Sequence, residues 1–334
     1  MASSGAPSWI GSENVANLSP RAATLIALAA IALLAPLLFP SSFYYRVGAL
    51  IFINGLSVIG LVILVGFAGQ VSLGHAGFAG IGAYTCALAP VHLGLHPALA
   101  MVLGAAISAV VAWLVGRPIL RLSGHFLAVA TLGFGILVFM VLNNESWLTG
   151  GPDGIAVADI GLRGLLRDYG IKVTASQLWY WLGAVALMLG AFLALNLQNS
   201  PAGRALRSLH DSEVAARTIG IDVARMKLTA FVVSAVYTSV AGSMLAMMNR
   251  FVTPDIAGFM HSVELLTMTV LGGAGAVFGG FVGATILTAL PQLLTVFEEY
   301  ENLLLGLIMM LVMIFLREGL VPSIARRLRR GGSK

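Results

Sequence analysis

The sequence predicts an all-α, polytopic membrane protein with about eight to ten transmembrane helices, some of them broken into half-helices. Three observations predict this class. Hydrophobic residues make up 58% of the 334 residues and charged residues only 10%, whereas a water-soluble domain averages about 25% charged residues. The mean hydropathy is +0.94. Apolar runs long enough to cross a bilayer recur along the whole chain, which predicts one integral membrane domain.

Composition also excludes several classes of protein. The single cysteine, Cys86, excludes a disulfide framework and makes a structural zinc site unexpected. The net charge of +5 does not indicate nucleic-acid binding, because the basic residues lie at the predicted membrane edges. Residues 1–20 are polar and lack a basic leader, so we expect a flexible cytoplasmic N-terminus rather than a signal peptide.

The spans can be assigned from the apolar runs, since a helix needs roughly 20 apolar residues to cross the membrane. The predicted spans are 22–39, 47–66, 76–91, 97–116, 125–142, 178–197, 228–248 and 302–316. A further run, 261–290, is long enough for one span but is interrupted by the sequence GGAGAVFGG. We therefore place a transmembrane domain at 21–317 and a basic tail at 318–334.

Orientation follows from the basic residues, which favour the cytoplasmic side. They concentrate in the loop 198–227 and in the tail 318–334, so we expect both of these segments and both termini to be cytoplasmic. Acidic residues mark 143–177 and 291–301 as outer segments, and Trp147, Trp179, Tyr180 and Trp181 are then expected near the outer interface.

Span 228–248 ends outside and span 302–316 starts outside, so the run 261–290 must both start and end outside. Two half-helices meeting at GGAGAVFGG would achieve this. The stretch 66–80, GFAGQVSLGHAGFAG, is a similar glycine-rich interruption in the first half of the chain. Paired interruptions of this kind indicate a transport pathway. They also fit simple close packing of helices through small residues, and the spacing alone leaves both interpretations open. The candidate path residues are Gly69, Gln70, Ser72, Gly74, His75, Gly77, Gly272, Gly273, Gly275, Gly279 and Gly280.

The cytoplasmic loop contains a second candidate site. Pro201 and Gly203 are expected to break the preceding span, and Asp211 or Ser212 to cap a short helix that ends at Gly220. This helix would be either an ordinary surface turn with basic anchors for lipid or a rigid element that fits a cytoplasmic partner.

Three segments resemble the permease family of bacterial branched-chain amino acid ABC importers, and within it the LivM-type subunit most closely. They are GFAGQVSLGHAGFAGIGAY, GRALRSLHDSEVAARTIGIDVARMKLTAFVVSAVYTSVAG and TVLGGAGAVFGGFVGA, and the resemblance covers roughly 46–320. It implies an ABC importer permease fold in the inner membrane, paired with a homologous permease. It also implies two cytoplasmic ATPase subunits and a periplasmic binding protein that delivers leucine, isoleucine or valine.

The resemblance also implies roles for individual residues. The loop matches the family's ATPase-coupling segment, with E-V-A-A where ABC importers generally carry E-A-A. The expected coupling residues are Arg204, Arg207, Asp211, Glu213, Ala215, Ala216 and Gly220. The chain has no G-x-x-x-x-G-K-[ST] phosphate-binding loop, so we expect a non-catalytic subunit without cofactors that is energised by separate ATPases.

Four alternatives stay open. Related permeases carry urea, short amides or other small solutes, and a self-sufficient channel or secondary carrier would need no partner at all. An intramembrane enzyme could use Ser72 and His75, although no third orienting group is evident. His92 and His96 could bind a metal if they were helical, but Gly94 and Pro97 favour a turn.

Overall fold

The computed structural model describes residues 20–168, 170, 172–293, 306, 310, 319–321 and 323. The described chain is almost entirely helical, and the α-helices are α1 (Pro20–Leu34), α2 (Ser42–Leu61), α3 (His75–Leu93), α4 (Pro97–Ile119), α5 (His125–Asn144), α6 (Ser146–Thr149), α7 (Leu162–Asp168), α8 (Ala175–Asn199), α9 (Pro201–Asp211), α10 (Glu213–Thr218), α11 (Val223–Asn249), α12 (Phe259–Gly272) and α13 (Val277–Leu293). Two short strands, β1 (Ile155–Ala156) and β2 (Phe251–Val252), form one antiparallel pair.

Seven helical segments within the described residues are long and apolar enough to cross a membrane. They are Arg21–Leu38, Ser42–Phe67, His75–Leu93, Pro97–Ile119, His125–Asn144, Ala175–Asn199 and Val223–Asn249. Each coincides with a predicted span, so the polytopic all-α class is confirmed. The eighth predicted span, 302–316, lies outside the described residues apart from Gly306 and Met310.

Two helices form the centre of the bundle. α2 packs against α8, α11 and α13, while α11 packs against α3 and α4 as well. Most of α2 is buried from Val47 to Leu61, as is expected of a helix surrounded by other helices rather than by lipid. Helices α4 and α5 instead leave many apolar side chains exposed. Such exposure fits contact with lipid.

The four aromatic residues that were expected near the outer interface are only partly exposed. Trp147 and Trp181 are 81% and 40% exposed, whereas Trp179 and Tyr180 are buried. The hydroxyl of Tyr180 donates to the carbonyl of Ala32 on α1 at 2.8 Å. Tyr180 therefore attaches the peripheral first helix to the bundle instead of facing lipid headgroups.

Both predicted interruptions are present, but each is narrower than its glycine content suggested. The first consists of a π-helical turn, Val62–Phe67, and the irregular residues 68–74. The second consists of residues 273–276, between α12 and α13. Gly77, Gly279 and Gly280 lie inside helices, because glycine there serves close helix packing rather than a turn.

The connections at one end of the bundle are held together by the β1–β2 pair. Ile155 is opposite Val252 and Ala156 is opposite Phe251. β1 follows α5 and α6, and β2 follows α11, so this pair joins two connections that are distant in the sequence. It also fixes the chain leading from α11 to α12.

Candidate functional site

The two interrupted segments lie against each other. The backbone N–H of Ala76, in the first turn of α3, donates to Oγ of Ser262 in α12 at 3.0 Å. At the other end of α12, a Cβ atom on Gly66 would collide with the carbonyl group of Ala274. The structure thus brings the two glycine-rich regions, from opposite halves of the chain, into one site.

The first interruption is stabilised by local hydrogen bonds. The backbone N–H of Gln70 donates to the carbonyl of Leu64 at 3.0 Å, and its side-chain Nε2 donates to the carbonyl of Ala68 at 3.0 Å. Gly69 has φ +66°, a left-handed conformation that favours glycine. The freed backbone groups of the broken helix are therefore satisfied inside the protein, as apolar surroundings require.

His75 is the centre of a buried polar chain. Its Nδ1 is 2.8 Å from Oγ of Ser72, and its Nε2 is 2.9 Å from Oγ of Ser234 on α11. The side chain is 1% exposed, and Ser72 is 3% exposed. The Ser72–His75 pair that the sequence suggested is present. The second ring nitrogen of His75 is bound to another hydroxyl, that of Ser234. The chain Ser72–His75–Ser234 connects the interruption to the central helix α11.

Most candidate path residues are closely packed. A Cβ atom on Gly74 would collide with the carbonyl of Thr131 on α5, and one on Gly272 would collide with the carbonyl of Gly279. The exposed members of the set are Gly69 and Gly275, while Gln70, Ser72, Gly74, His75, Gly77, Gly272, Gly273, Gly279 and Gly280 are buried. In this conformation of the single subunit, these residues form a closed wall.

The loop 198–227 folds into two short helices, α9 and α10, outside the candidate spans. Ser200 caps α9 by accepting from the N–H of Gly203, and Ser212 caps α10 by accepting from the N–H of Ala215. The expected break at Pro201 is therefore confirmed, but Pro201 also begins a second helix that the sequence analysis did not predict, since proline is favourable in a first helical turn. Gly220 follows α10 with φ +83°, as expected of a C-terminal glycine.

The coupling candidates divide into positioning and exposed residues. The Glu213 carboxylate pairs with Nζ of Lys227 on α11, whose side chain is 4% exposed, and Ala216 is fully buried. Glu213 and Ala216 thus hold α10 on the bundle. The remaining candidates, Arg204, Arg207, Asp211, Ala215 and Gly220, are exposed.

Two apolar residues of this segment were missed by the sequence analysis. Val214 is 75% exposed and Ile219 is 70% exposed, although the chain around them is polar. The available signal was helical phase, because the face that contains Ala216 turns inward and leaves Val214 outside. Exposed apolar side chains among charged residues are available for contact with another protein.

The short helices also contact the first interruption. A Cβ atom on Gly69 would lie 2.9 Å from Nδ1 of His210, in the last turn of α9. The loop 198–227 and the broken helix therefore share a direct contact.

The suggested histidine metal pair is not assembled. His92 lies in the last turn of α3, and His96 caps α4 by accepting from the N–H of Ala98 at 3.3 Å. Gly94, with φ +63°, turns the chain between them. Within the described residues, no group of three or more His, Cys, Asp or Glu residues could hold a metal ion.

Comparison with known proteins gives consistent matches. Residues 43–313 match the family model described as "Branched-chain amino acid transport system / permease component". The high-affinity branched-chain amino acid transport system permease protein LivM of Salmonella typhimurium is 36% identical over 81% of this chain and 68% of its own length. LivM of Escherichia coli is 35% identical over the same shares. LivH of Salmonella typhimurium is 25% identical over 80% of this chain and 90% of its own length. No solved structure gives a significant match.

Proposed function

The chain belongs to the family of branched-chain amino acid transport permease components, and we propose that it is the transmembrane permease of an ATP-driven importer of leucine, isoleucine and valine. Similarity to LivM and LivH permeases supports this substrate class over urea or short amides. A zwitterion with an apolar side chain also suits a site whose buried polar groups are mainly hydroxyl, amide and imidazole groups.

The observation that carries the proposal is the pair of short helices α9 and α10. α10 leaves Val214 exposed, Ile219 directly after it is exposed as well, and the helix is anchored to α11 through Glu213 and Lys227. Such an element can receive a rigid partner on one side and transmit its displacement to a spanning helix on the other. We propose that cytoplasmic ATPase subunits bind here and that the permease itself is non-catalytic.

The proposed assembly contains two homologous permeases, two cytoplasmic ATPases and a periplasmic binding protein. Two related permeases, LivM and LivH, resemble this chain, which supports pairing with a second permease. In this assembly both termini, the loop 198–227 and the tail 318–334 face the cytoplasm of a bacterial cell, and residues 21–317 form the permease domain. The binding protein delivers the substrate to the opposite face.

We propose that the glycine-rich segments form a gate along the translocation path. The wall is closed in the single subunit because Gly74 and Gly272 lie against neighbouring backbone. Movement of α9 and α10 would reach this wall through two contacts, from Glu213 of α10 to Lys227 on α11 and from His210 of α9 to Gly69. Nucleotide binding to the ATPases would then shift the interrupted segments and alternate access between the two sides.

Uptake of radiolabelled leucine tests this function. Cells with the intact operon should accumulate leucine, and replacement of 213–220 by a glycine–serine linker should abolish uptake while the protein still reaches the membrane. The matched control replaces 90–96, at the C-terminal end of α3. If this replacement impairs only delivery by the binding protein, the loss of uptake in the 213–220 variant reflects lost coupling and not general damage. Unchanged uptake after replacement of 213–220 would refute the coupling role.

Purified chain in liposomes tests the channel and carrier alternatives. A self-sufficient channel would release loaded leucine, urea or acetamide down a gradient without any partner. We expect no flux from the single chain, and flux that requires the second permease and ATPases in the complete assembly. Leucine flux through the isolated chain would contradict the proposal.

A further inference from the structure

A cationic cavity lies at the end of the bundle where the β1–β2 pair is found. It has a volume of about 600 Å³ and contains four basic residues, Arg163, Arg167, Lys172 and Arg250, with Asp159 the one acid among its described lining residues. Among the described residues, Arg250 alone of the four is ion-paired, to Asp159. The cavity therefore presents uncompensated positive charge to an approaching ligand.

One of these cations ends a central helix. Arg250 follows the last residue of α11 with φ 56°, a left-handed conformation that commonly terminates helices. Its carbonyl accepts from the N–H of Val157 at 3.0 Å, beside the β1–β2 pair, and its guanidinium pairs with Asp159. Arg250 is thus tied to the β1 segment through both its backbone and its side chain, and it lines the cavity.

An apolar groove with a volume of about 390 Å³ lies close to this cavity. Ile160 lines the groove and the preceding Asp159 lines the cavity, so the two spaces border on neighbouring residues of the chain. Thr174, which caps α8, also lines the cavity, and residues of α8 line the groove.

The groove has the length and chemistry of an acyl-chain site. On α8 it is lined by Trp179, Leu182, Val185, Leu189 and Leu193. At 1.5 Å per residue this stretch is about 21 Å long, more than one leaflet of a hydrocarbon core that is about 30 Å thick. Tyr237 also lines it, but its hydroxyl donates to the carbonyl of Gly190 at 2.8 Å, so the groove offers hydrocarbon contacts.

We propose that the cavity and groove together bind one phospholipid with an anionic headgroup. The phosphate lies among Arg163, Arg167, Lys172 and Arg250, and one acyl chain lies along α8. A soluble anion would use the cavity but would leave the groove empty. An acidic protein surface could meet the cations but could not enter a groove inside the bilayer. The proposal depends on membrane insertion and not on which solute the permease carries.

Native mass spectrometry of the purified full-length chain in detergent tests this site, with phosphatidylglycerol and phosphatidylcholine as probes. The wild type should retain phosphatidylglycerol in preference to phosphatidylcholine. Each basic residue near a lipid surface contributes about a fivefold change in affinity, so Arg163→Gln with Arg167→Gln should lower phosphatidylglycerol affinity about 25-fold. Arg163→Lys with Arg167→Lys keeps both charges and should retain the preference.

The groove is tested separately by Val185→Trp, which fills it at a position that is 65% exposed and so leaves the core intact. We expect this variant to lose phosphatidylglycerol, whereas Val102→Trp, on the exposed surface of α4 outside the groove, should retain it. Elution of each variant as a single size-exclusion peak confirms folding.

Three results would overturn the proposal. The first is unchanged phosphatidylglycerol affinity in the double Gln variant. The second is unchanged affinity in Val185→Trp, which would make the cavity a site for a small anion alone. The third is a double Gln variant that keeps its lipid but loses the binding protein, which would make the cavity a protein-docking surface.

Discussion

Glu213 in α10 and Lys227 in α11 form an ion pair across the turn that joins the two helices. The lysine side chain is 4% exposed and the glutamate side chain is 36% exposed, so the ammonium group is buried and its partner lies at the surface. A buried charge depends strongly on its partner. The pair therefore fixes the orientation of α10 relative to α11.

Loss of the carboxylate should destabilise the subunit. We expect Glu213→Gln to cost about 1–3 kcal/mol, less than for a fully buried pair because Glu213 is partly exposed. Thermal unfolding of the purified chain measures this change. Adding Lys227→Met should restore most of the stability, since it removes the unpaired charge.

A second ion pair, Asp222 with Arg225, is the control for this prediction. Its side chains are 52% and 84% exposed, and Asp222→Asn should change stability by at most about 1 kcal/mol. A Glu213→Gln variant no less stable than Asp222→Asn would show that the buried lysine does not depend on its partner.

The exposed face of α10 should matter for transport and not for folding. Val214→Asp places a charge where we propose that an ATPase makes apolar contact, so we expect leucine uptake to fall at least about tenfold, equivalent to roughly 1.4 kcal/mol of lost contact. The melting temperature of the chain should stay unchanged because Val214 is 75% exposed. Val214→Ala, which stays apolar, should keep most uptake. Full activity of Val214→Asp would remove this face from the interface.

Close packing at the first interruption should tolerate no added methyl group. Gly74→Ala would drive a Cβ atom into the carbonyl of Thr131, and we expect a loss of about 1–3 kcal/mol in unfolding free energy. Gly133→Ala is the matched control, because nothing lies within 4 Å of its Cβ position. It should be neutral or stabilising by up to about 1 kcal/mol. Equal melting temperatures for the two variants would contradict the packing argument.

The polar chain around His75 should behave as a unit. His75→Leu leaves the hydroxyls of Ser72 and Ser234 without their partner and should cost about 1–3 kcal/mol. Adding Ser72→Ala and Ser234→Ala should recover part of this loss, because all three buried polar groups are then removed together. Thermal unfolding distinguishes the variants.

His92→Leu is the control for the histidine prediction. His92 is exposed near the end of α3, so its substitution should change stability by at most about 0.5 kcal/mol. If His75→Leu proves as stable as His92→Leu, the hydrogen bonds to the two serines contribute nothing measurable.

The spans could be predicted from sequence because lipid imposes one simple requirement, a long apolar helix. The start of α10 at a Ser212 cap was likewise predictable, since it depends on neighbouring residues alone. The exact extent of the interruptions was not predictable from the sequence. Gly77 and Gly280 look like turn residues in the sequence, yet both are helical. A Cβ atom on Gly280 would lie 2.8 Å from Cγ2 of Val62, so the close packing at Gly280 favours glycine. That neighbour comes from a distant part of the chain.

The candidate functional surfaces were also only partly predictable from the sequence. Glu213 and Ala216 were expected from the sequence to be coupling residues, and in the structure Glu213 pairs with Lys227 and Ala216 is buried in the core. The exposed Val214 and Ile219 become evident once the helical phase of α10 is known. The cationic cavity depends on Arg250 reaching residues of the α7 segment across the β1–β2 pair, an arrangement that hydropathy and charge counts do not encode.

The contact between Gly66 and Ala274 has a mechanical consequence. Backbone meets backbone there without an intervening side chain, so neither segment has flexible atoms that could absorb a shift of the other. A shift of the α12–α13 turn toward Gly66 is therefore blocked unless the end of the second span moves with it. The interruptions in the two halves of the chain can come no closer to each other without a joint rearrangement of their backbones.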